Sequence, residues 1–189
     1  MTSTRSALQI PVWEEMEKPS YKSREVALMA VFAATYAVGV TLLAPISFPV
    51  FQVRVADILL PLSVLFGLPA IIGLTLGNVV GNLSSPFGII DVVGGTAANF
   101  LATFLAWQIG RRQFTGAWLA SAMVEVVTIT AVVGTYLAFL IEVPLWLSWV
   151  GVLIGETISV GFGGYLLLKG VDRVLGRRLY LSVPRNPET

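Results

Sequence analysis

Long apolar runs, each closed by charge, proline or glycine, constrain this chain more than any other feature. The first covers residues 26–44 and stops at Pro45, with Arg24 and Glu25 marking its polar start. The next covers 58–76 and is interrupted at Gly67-Leu68-Pro69, where a glycine stop and a proline at a helix start suggest a tight turn. Residues 92–109, 117–141 and 145–168 supply three more, separated by Arg111-Arg112 and by Glu142-Val143-Pro144. About 20 apolar residues cross a bilayer core as a helix, so the pattern predicts an all-α polytopic membrane protein. Composition agrees: 56% of residues are hydrophobic and 12% charged, against the quarter or so expected of soluble domains.

The runs give five spans or six, and positive charge decides, because Lys and Arg collect at the cytoplasmic ends of spans. With six spans and the N-terminus inside, Arg5, Lys18, Lys22, Arg24, Arg111, Arg112, Lys169, Arg173, Arg177, Arg178 and Arg185 all fall in the cytoplasm, leaving Arg54 alone outside. Five spans leave the two sides nearly balanced. The expected bundle therefore has helices at about 25–44, 55–67, 69–83, 91–110, 115–141 and 145–170. Helices two and three are short and form a hairpin. Residues 1–24 form a cytoplasmic N-terminal segment, and 171–189 a basic cytoplasmic tail. The first segment lacks the apolar core of a signal peptide, and Leu8, Ile10, Val12, Trp13 and Met16 among its charges suit either the membrane surface or disorder. Its 189 residues suffice for one such bundle and no second domain.

Several function classes fall away. The chain has no Cys and no His, which removes disulfides, thiol nucleophiles, imidazole bases and the usual zinc ligand sets. Its net charge of +1 gives nucleic acid no footprint. Gly73, Gly77 and Gly81 recur every fourth residue, a pattern for close helix approach, and no phosphate-cradling P-loop motif occurs. No cofactor is expected on this chain. Energy from ATP, if used, must enter through partner subunits.

Ionisable groups at membrane depth are costly unless they face a cavity or find partners. Glu125 in span five and Glu156 in span six are each read as about 18 Å deep, near mid-membrane. Ser121, Glu125, Thr128 and Thr135 form one helical stripe, and Trp149, Glu156, Ser159 and Gly163 another. Asp91, Gly95 and Asn99 share a face of span four, and Asn78 and Asn82 lie one turn apart on helix three. Arg54 and Asp57 stand at an ion-pair spacing, and Trp146 and Trp149 suit either an interfacial belt or stacking on a flat ligand. These groups place a polar site in the outer half of helices two to six. Carboxyls facing a pocket favour a ligand rich in N–H donors, such as a purine-like base. Structural hydrogen bonding of Glu125 and Glu156, turn formation at Asn82 and Asp91, and an Arg54–Asp57 structural pair are the competing readings.

One stretch carries a family resemblance. Gln52-Val53-Arg54-Val55-Ala56-Asp57, Gly67-Leu68-Pro69-Ala70-Ile71-Ile72-Gly73, Asn82-Leu83-Ser84-Ser85-Pro86-Phe87-Gly88 and Asp91-Val92-Val93-Gly94-Gly95-Thr96, with Gly155-Glu156 in the last span, resemble the QueT-type queuosine-precursor transporters. These are substrate-binding S components of energy-coupling-factor (ECF) transporters. The family more often reads Arg-x-Ser-Glu-Ala where this chain has Arg54-Val55-Ala56-Asp57-Ile58, a shorter acid without the serine at the outer rim.

The resemblance implies a six-helix S component in the cell membrane with both termini cytoplasmic. Such a chain binds a 7-deazaguanine (preQ0, preQ1 or queuine) and works with a transmembrane T component and two ATPase subunits that use ATP. It also implies docking through small residues on helix one, for which Ala30 and Ala34, or Ala33 and Ala37, have the spacing. The expected ligand contacts come from Glu125, Glu156 and Asp91 as acceptors, Asn82 or Asn99 at the carbonyl, and Trp146 or Trp149 over the ring, with Arg54 and Asp57 at the rim. The alternatives are an S component for another vitamin-like substrate, an intramembrane enzyme using Glu125 and Glu156 as an acid–base pair, and a structural membrane subunit.

Overall fold

The computed structural model describes residues 21–44, 53–112 and 114–175. The readings of residues 1–20, of Gln52 and of the tail at 176–189 lie outside them. The described residues form helices throughout: α1 (Tyr21–Leu42), α2 (Val55–Phe66), α3 (Leu68–Asn82), α4 (Gly88–Gly110), α5 (Ala117–Leu140) and α6 (Leu145–Leu175). This is the expected six-helix order. Four of them, α1, α4, α5 and α6, are long and apolar enough to cross a membrane, while α2 and α3 are short apolar helices.

The α2–α3 hairpin turns where the Gly-Leu-Pro signal placed it. Gly67 has φ +62, a left-handed conformation in which an L side chain is strained, and it reverses the chain beside the Trp107 ring. The two arms differ in residue count yet match in reach. Val55–Leu62 is a 3-10 helix, rising about 2.0 Å per residue, before one α turn at Ser63–Phe66. Twelve residues so built extend about 22 Å, the same as fifteen residues of α-helical α3.

Close packing of α3 on α1 follows from its glycine stripe. A Cβ at Gly73 would lie 2.6 Å from the Met29 carbonyl oxygen, at Gly77 2.6 Å from that of Ala33, and at Gly81 2.8 Å from Val40 Cβ. Phe32, Tyr36 and Val40, spaced by four, form the buried face of α1 that meets this stripe. The helices therefore approach backbone to backbone, as the every-fourth glycine pattern predicted.

The 3-10 part of α2 runs through the middle, contacting α1, α3, α4, α5 and α6. Its nearest neighbour is an unusual stretch of α6, Thr157–Gly164, wound as a π-helix. Gly163 and Gly164 press on Ile58 and Pro61 of α2, with only 2.8 Å between a Cβ at Gly164 and Pro61 Cγ. Pro61 has no N–H to donate, and π segments concentrate at functional positions. The two non-α segments thus face each other beside Asp57, Ser63, Glu156 and Ser159.

Candidate functional site

The helix ends define two faces of the bundle. At one, α1, α3 and α5 end and α2, α4 and α6 begin; this end carries Arg54. The other carries Lys22, Arg24, Arg111, Arg112, Lys169 and Arg173, with the Arg111 guanidinium 4.6 Å above the Trp107 ring. Buried polar side chains gather in two layers below the Arg54 end.

The shallow layer lies within about 10 Å of the helix ends at the helical rise. Tyr36 of α1 donates to Asp57 Oδ1 of α2 and accepts from Asn78 Nδ2 of α3 at 3.0 Å. Asn82 Nδ2 donates to Asn78 Oδ1 at 3.0 Å and to the Asp91 carbonyl oxygen of α4 at 3.1 Å. Tyr136 of α5 donates to Asp91 Oδ1, whose other oxygen is 3.8 Å from the Arg54 guanidinium. One network therefore joins five helices. Arg54 reaches across to Asp91 and also feels the nearby charge of Asp57, so the expected local pair is part of a wider constellation. A buried guanidinium needs such company, since isolated charge is expensive in an apolar interior.

The deep layer lies about 15–22 Å below the same helix ends. It holds Asn99 of α4, Thr130 and Glu125 of α5, and Glu156 and Ser159 of α6, all buried. Ser63 Oγ donates to Glu125 Oε1 at 3.4 Å, a long bond. Neither amide atom of Asn99, nor Thr130 Oγ1, Ser159 Oγ, Glu125 Oε2 or Glu156 Oε2, has a hydrogen-bond partner among the described residues. Buried polar atoms are ordinarily paired, so this concentration makes the deep layer the candidate site. Glu156 stands close enough to Asp57 for the two carboxyls to interact, which links the two layers.

Most of the residues singled out from sequence come together here: Arg54, Asp57, Asn82 and Asp91 in the shallow layer, Asn99, Glu125 and Glu156 in the deep one. Glu125 is further from the Arg54 end than an outer-half site places it. It stands about 12 Å from the opposite end of α5 and about 22 Å from the near end. The expected α5 stripe also shifts, because Thr128 is only half-buried while Thr130 is buried. Thr135 bonds back to the Ala131 carbonyl and accepts from Trp149 Nε1 at 3.1 Å.

Trp146 and Trp149 are not brought to the polar layers. They are 66% and 42% exposed on the apolar outer surface, and Trp149 packs against Gly134. On α1, Ala30 and Ala34 are exposed, whereas Ala33 packs against Gly77 of α3 and Ala37 is half-buried.

Sequence reasoning missed Tyr36, Ser63, Thr130 and Tyr136. A tyrosine inside an apolar run reads as interfacial or core, yet Tyr36 shares the spacing of Phe32 and Val40. That register faced it toward the glycine stripe and Asn78 from the start. No group of three or more His, Cys, Asp or Glu suited to a metal ion occurs among the described residues.

A model of the family described as QueT transporter matches residues 26–173, from the second turn of α1 to the last turn of α6. No curated protein matches, and no solved structure does.

Proposed function

The chain belongs to the QueT transporter family, a family of transporters and not of enzymes, and from that premise we propose that it is the substrate-binding S component of an ECF-type importer for a queuosine precursor. The observation that carries this reading is the cluster of buried polar groups inside an otherwise apolar bundle, seven of them in a continuous network and five more below it. Carboxyls, an amide and hydroxyls suit a flat base with several N–H donors and a carbonyl, the chemistry of a 7-deazaguanine such as preQ0, preQ1 or queuine. The transport reading also gives Glu125 and Glu156 a use that needs no turnover.

Orientation follows from charge. The end holding Lys22, Arg24, Arg111, Arg112, Lys169 and Arg173 is cytoplasmic, and the Arg54 end faces outward. A ligand then enters from outside past Arg54 and Asp91. The resemblance to ECF S components implies that ATP is hydrolysed by two partner ATPases coupled through a T component, in keeping with a chain that carries no P-loop motif. The exposed Ala30 and Ala34 face of α1 is the surface for that partner, since a small-residue stripe admits another helix closely. Ala33 lies against Gly77 of α3.

Thermal stabilisation of the purified protein by preQ0, preQ1 and queuine, run beside biotin, riboflavin and thiamine, tests the substrate. Stabilisation by a deazaguanine alone supports the assignment. Stabilisation by a vitamin alone sinks it and leaves an S component for another substrate.

A further inference from the structure

The two layers differ in a way that assigns them different work. In the shallow layer the side chains satisfy one another: Tyr36, Asp57, Asn78, Asn82, Asp91 and Tyr136 are joined by hydrogen bonds from five helices, with Arg54 against Asp91. Its exceptions are Asn82 Oδ1, the Asp91 oxygen that faces Arg54, and Nε and Nη2 of Arg54, the latter held to Asp91 by the 3.8 Å ion pair. In the deep layer the balance is reversed. Asn99, Thr130 and Ser159 leave every side-chain polar atom unpartnered, and Glu125 and Glu156 each leave one oxygen so. These five residues come from three helices and fall within about 7 Å of depth, Asn99, Thr130 and Glu156 above Glu125 and Ser159. Helix register supports this placement. Ser121 of α5 bonds the Ala106 carbonyl of α4, and Gly94 of α4 meets the Tyr136 ring, so the antiparallel pair places Asn99 opposite Thr130. In the same way, Gly134 against Trp149 places Glu125 opposite Ser159.

We propose that the deep layer of Asn99, Glu125, Thr130, Glu156 and Ser159 is the ligand compartment, and that the shallow Arg54–Asp57–Asn78–Asn82–Asp91–Tyr36–Tyr136 network is the closure above it and not a set of ligand contacts. This rests on the reading of the chain as a substrate-binding transporter subunit, and it moves the contacts away from Arg54, Asp57, Asn82 and Asp91. The deep layer supplies acceptor oxygens from two carboxyls, an amide that both donates and accepts, and two hydroxyls. It takes a ligand edge on which several N–H donors stand beside one carbonyl. The shallow network lies across the route from the Arg54 end, so entry requires it to part. Parting is local, because Tyr36 and Asn78 stand on the α1–α3 seam, held by close approach at Gly73 and Gly77, so the movement falls on the network's contacts with α2, α4 and α5.

Four hydroxyl removals separate the two roles: Thr130→Val and Ser159→Ala below, Tyr36→Phe and Tyr136→Phe above. In the absence of ligand the deep pair leaves the melting temperature unchanged or raises it, because each removes an unpartnered buried group. The shallow pair lowers it by about 2–4 °C or more, since each orphans its bonded neighbours. With preQ1 as probe, the deep variants weaken equilibrium binding about three- to tenfold. Tyr136→Phe speeds association and dissociation together and holds Kd within about twofold, as expected of a closure. A deep pair that melts lower than the shallow pair overturns the proposal, as does a Tyr136→Phe variant that loses affinity while both deep variants bind normally. If the wild-type protein binds no deazaguanine, the substrate reading falls. The ligand-free melting order then still decides whether the deep layer is the compartment.

Discussion

Gly77→Ala is the sharpest structural perturbation this packing offers. The new methyl carbon would stand 2.6 Å from the Ala33 carbonyl oxygen, 2.9 Å from Tyr36 Cβ and 3.0 Å from Ala33 Cα. Two of these atoms are helix backbone and cannot rotate away. Restoring an ordinary contact of 3.4 Å requires α1 and α3 to separate by about 0.8 Å, the difference between the two distances. Overpacking of this kind costs roughly 1–3 kcal/mol, which for a chain of this size lowers the melting temperature by about 2–12 °C. The shift also moves Tyr36 relative to Asp57 and so loosens the shallow network. The assay is thermal unfolding of the detergent-purified protein beside Gly170→Ala, a helical glycine with no atom within 4 Å of its added methyl. The control should be neutral or slightly stabilised, by up to about 1 kcal/mol. A Gly77→Ala protein that melts with the wild type would refute the claim that the α1–α3 seam depends on backbone approach.

Other outcomes follow from the same geometry. Arg54→Gln leaves Asp91 buried without its cation and should cost about 3–5 kcal/mol, read as a fall in melting temperature. Glu125→Gln and Glu156→Gln replace an acceptor oxygen with a donor and should each weaken deazaguanine binding at least about tenfold with normal membrane insertion; intact uptake would favour a purely structural role. Trp146→Leu alters a side chain 66% exposed on the apolar surface and should leave Kd within about twofold. A Trp146→Leu protein with tenfold weaker binding would return the aromatic ring to the site.

The fold was legible because membrane helices announce themselves by length and charge. The Gly67-Leu68-Pro69 turn, the Arg111-Arg112 break and the Glu142-Val143-Pro144 break each lie at an observed helix boundary. The hairpin was legible too, but not how twelve residues match fifteen. Nothing in Val55–Leu62 announces a 3-10 helix beyond Pro61, because that conformation depends on neighbours such as Gly164. The π stretch at Thr157–Gly164 is equally a product of packing, where paired glycines accommodate α2.

At the site, charged and amide residues were found because burial in lipid makes them conspicuous. Tyr36 and Tyr136 were not, since a hydroxyl on a large apolar ring carries little signal until its partner is known. The tryptophans were open to two readings, and Trp149 shows why. Its indole N–H is satisfied by Thr135 on the outer surface, a pairing between helices that spacing within one helix does not reveal.

Equilibrium binding of preQ1 to the purified wild-type chain, without any partner subunit, tests the central claim most directly. The account predicts saturable binding, competed by queuine and preQ0 but not by biotin, riboflavin or thiamine, and weakened at least about tenfold in Glu156→Gln. Absence of binding by every deazaguanine, with saturable binding of one of the vitamins, would contradict it.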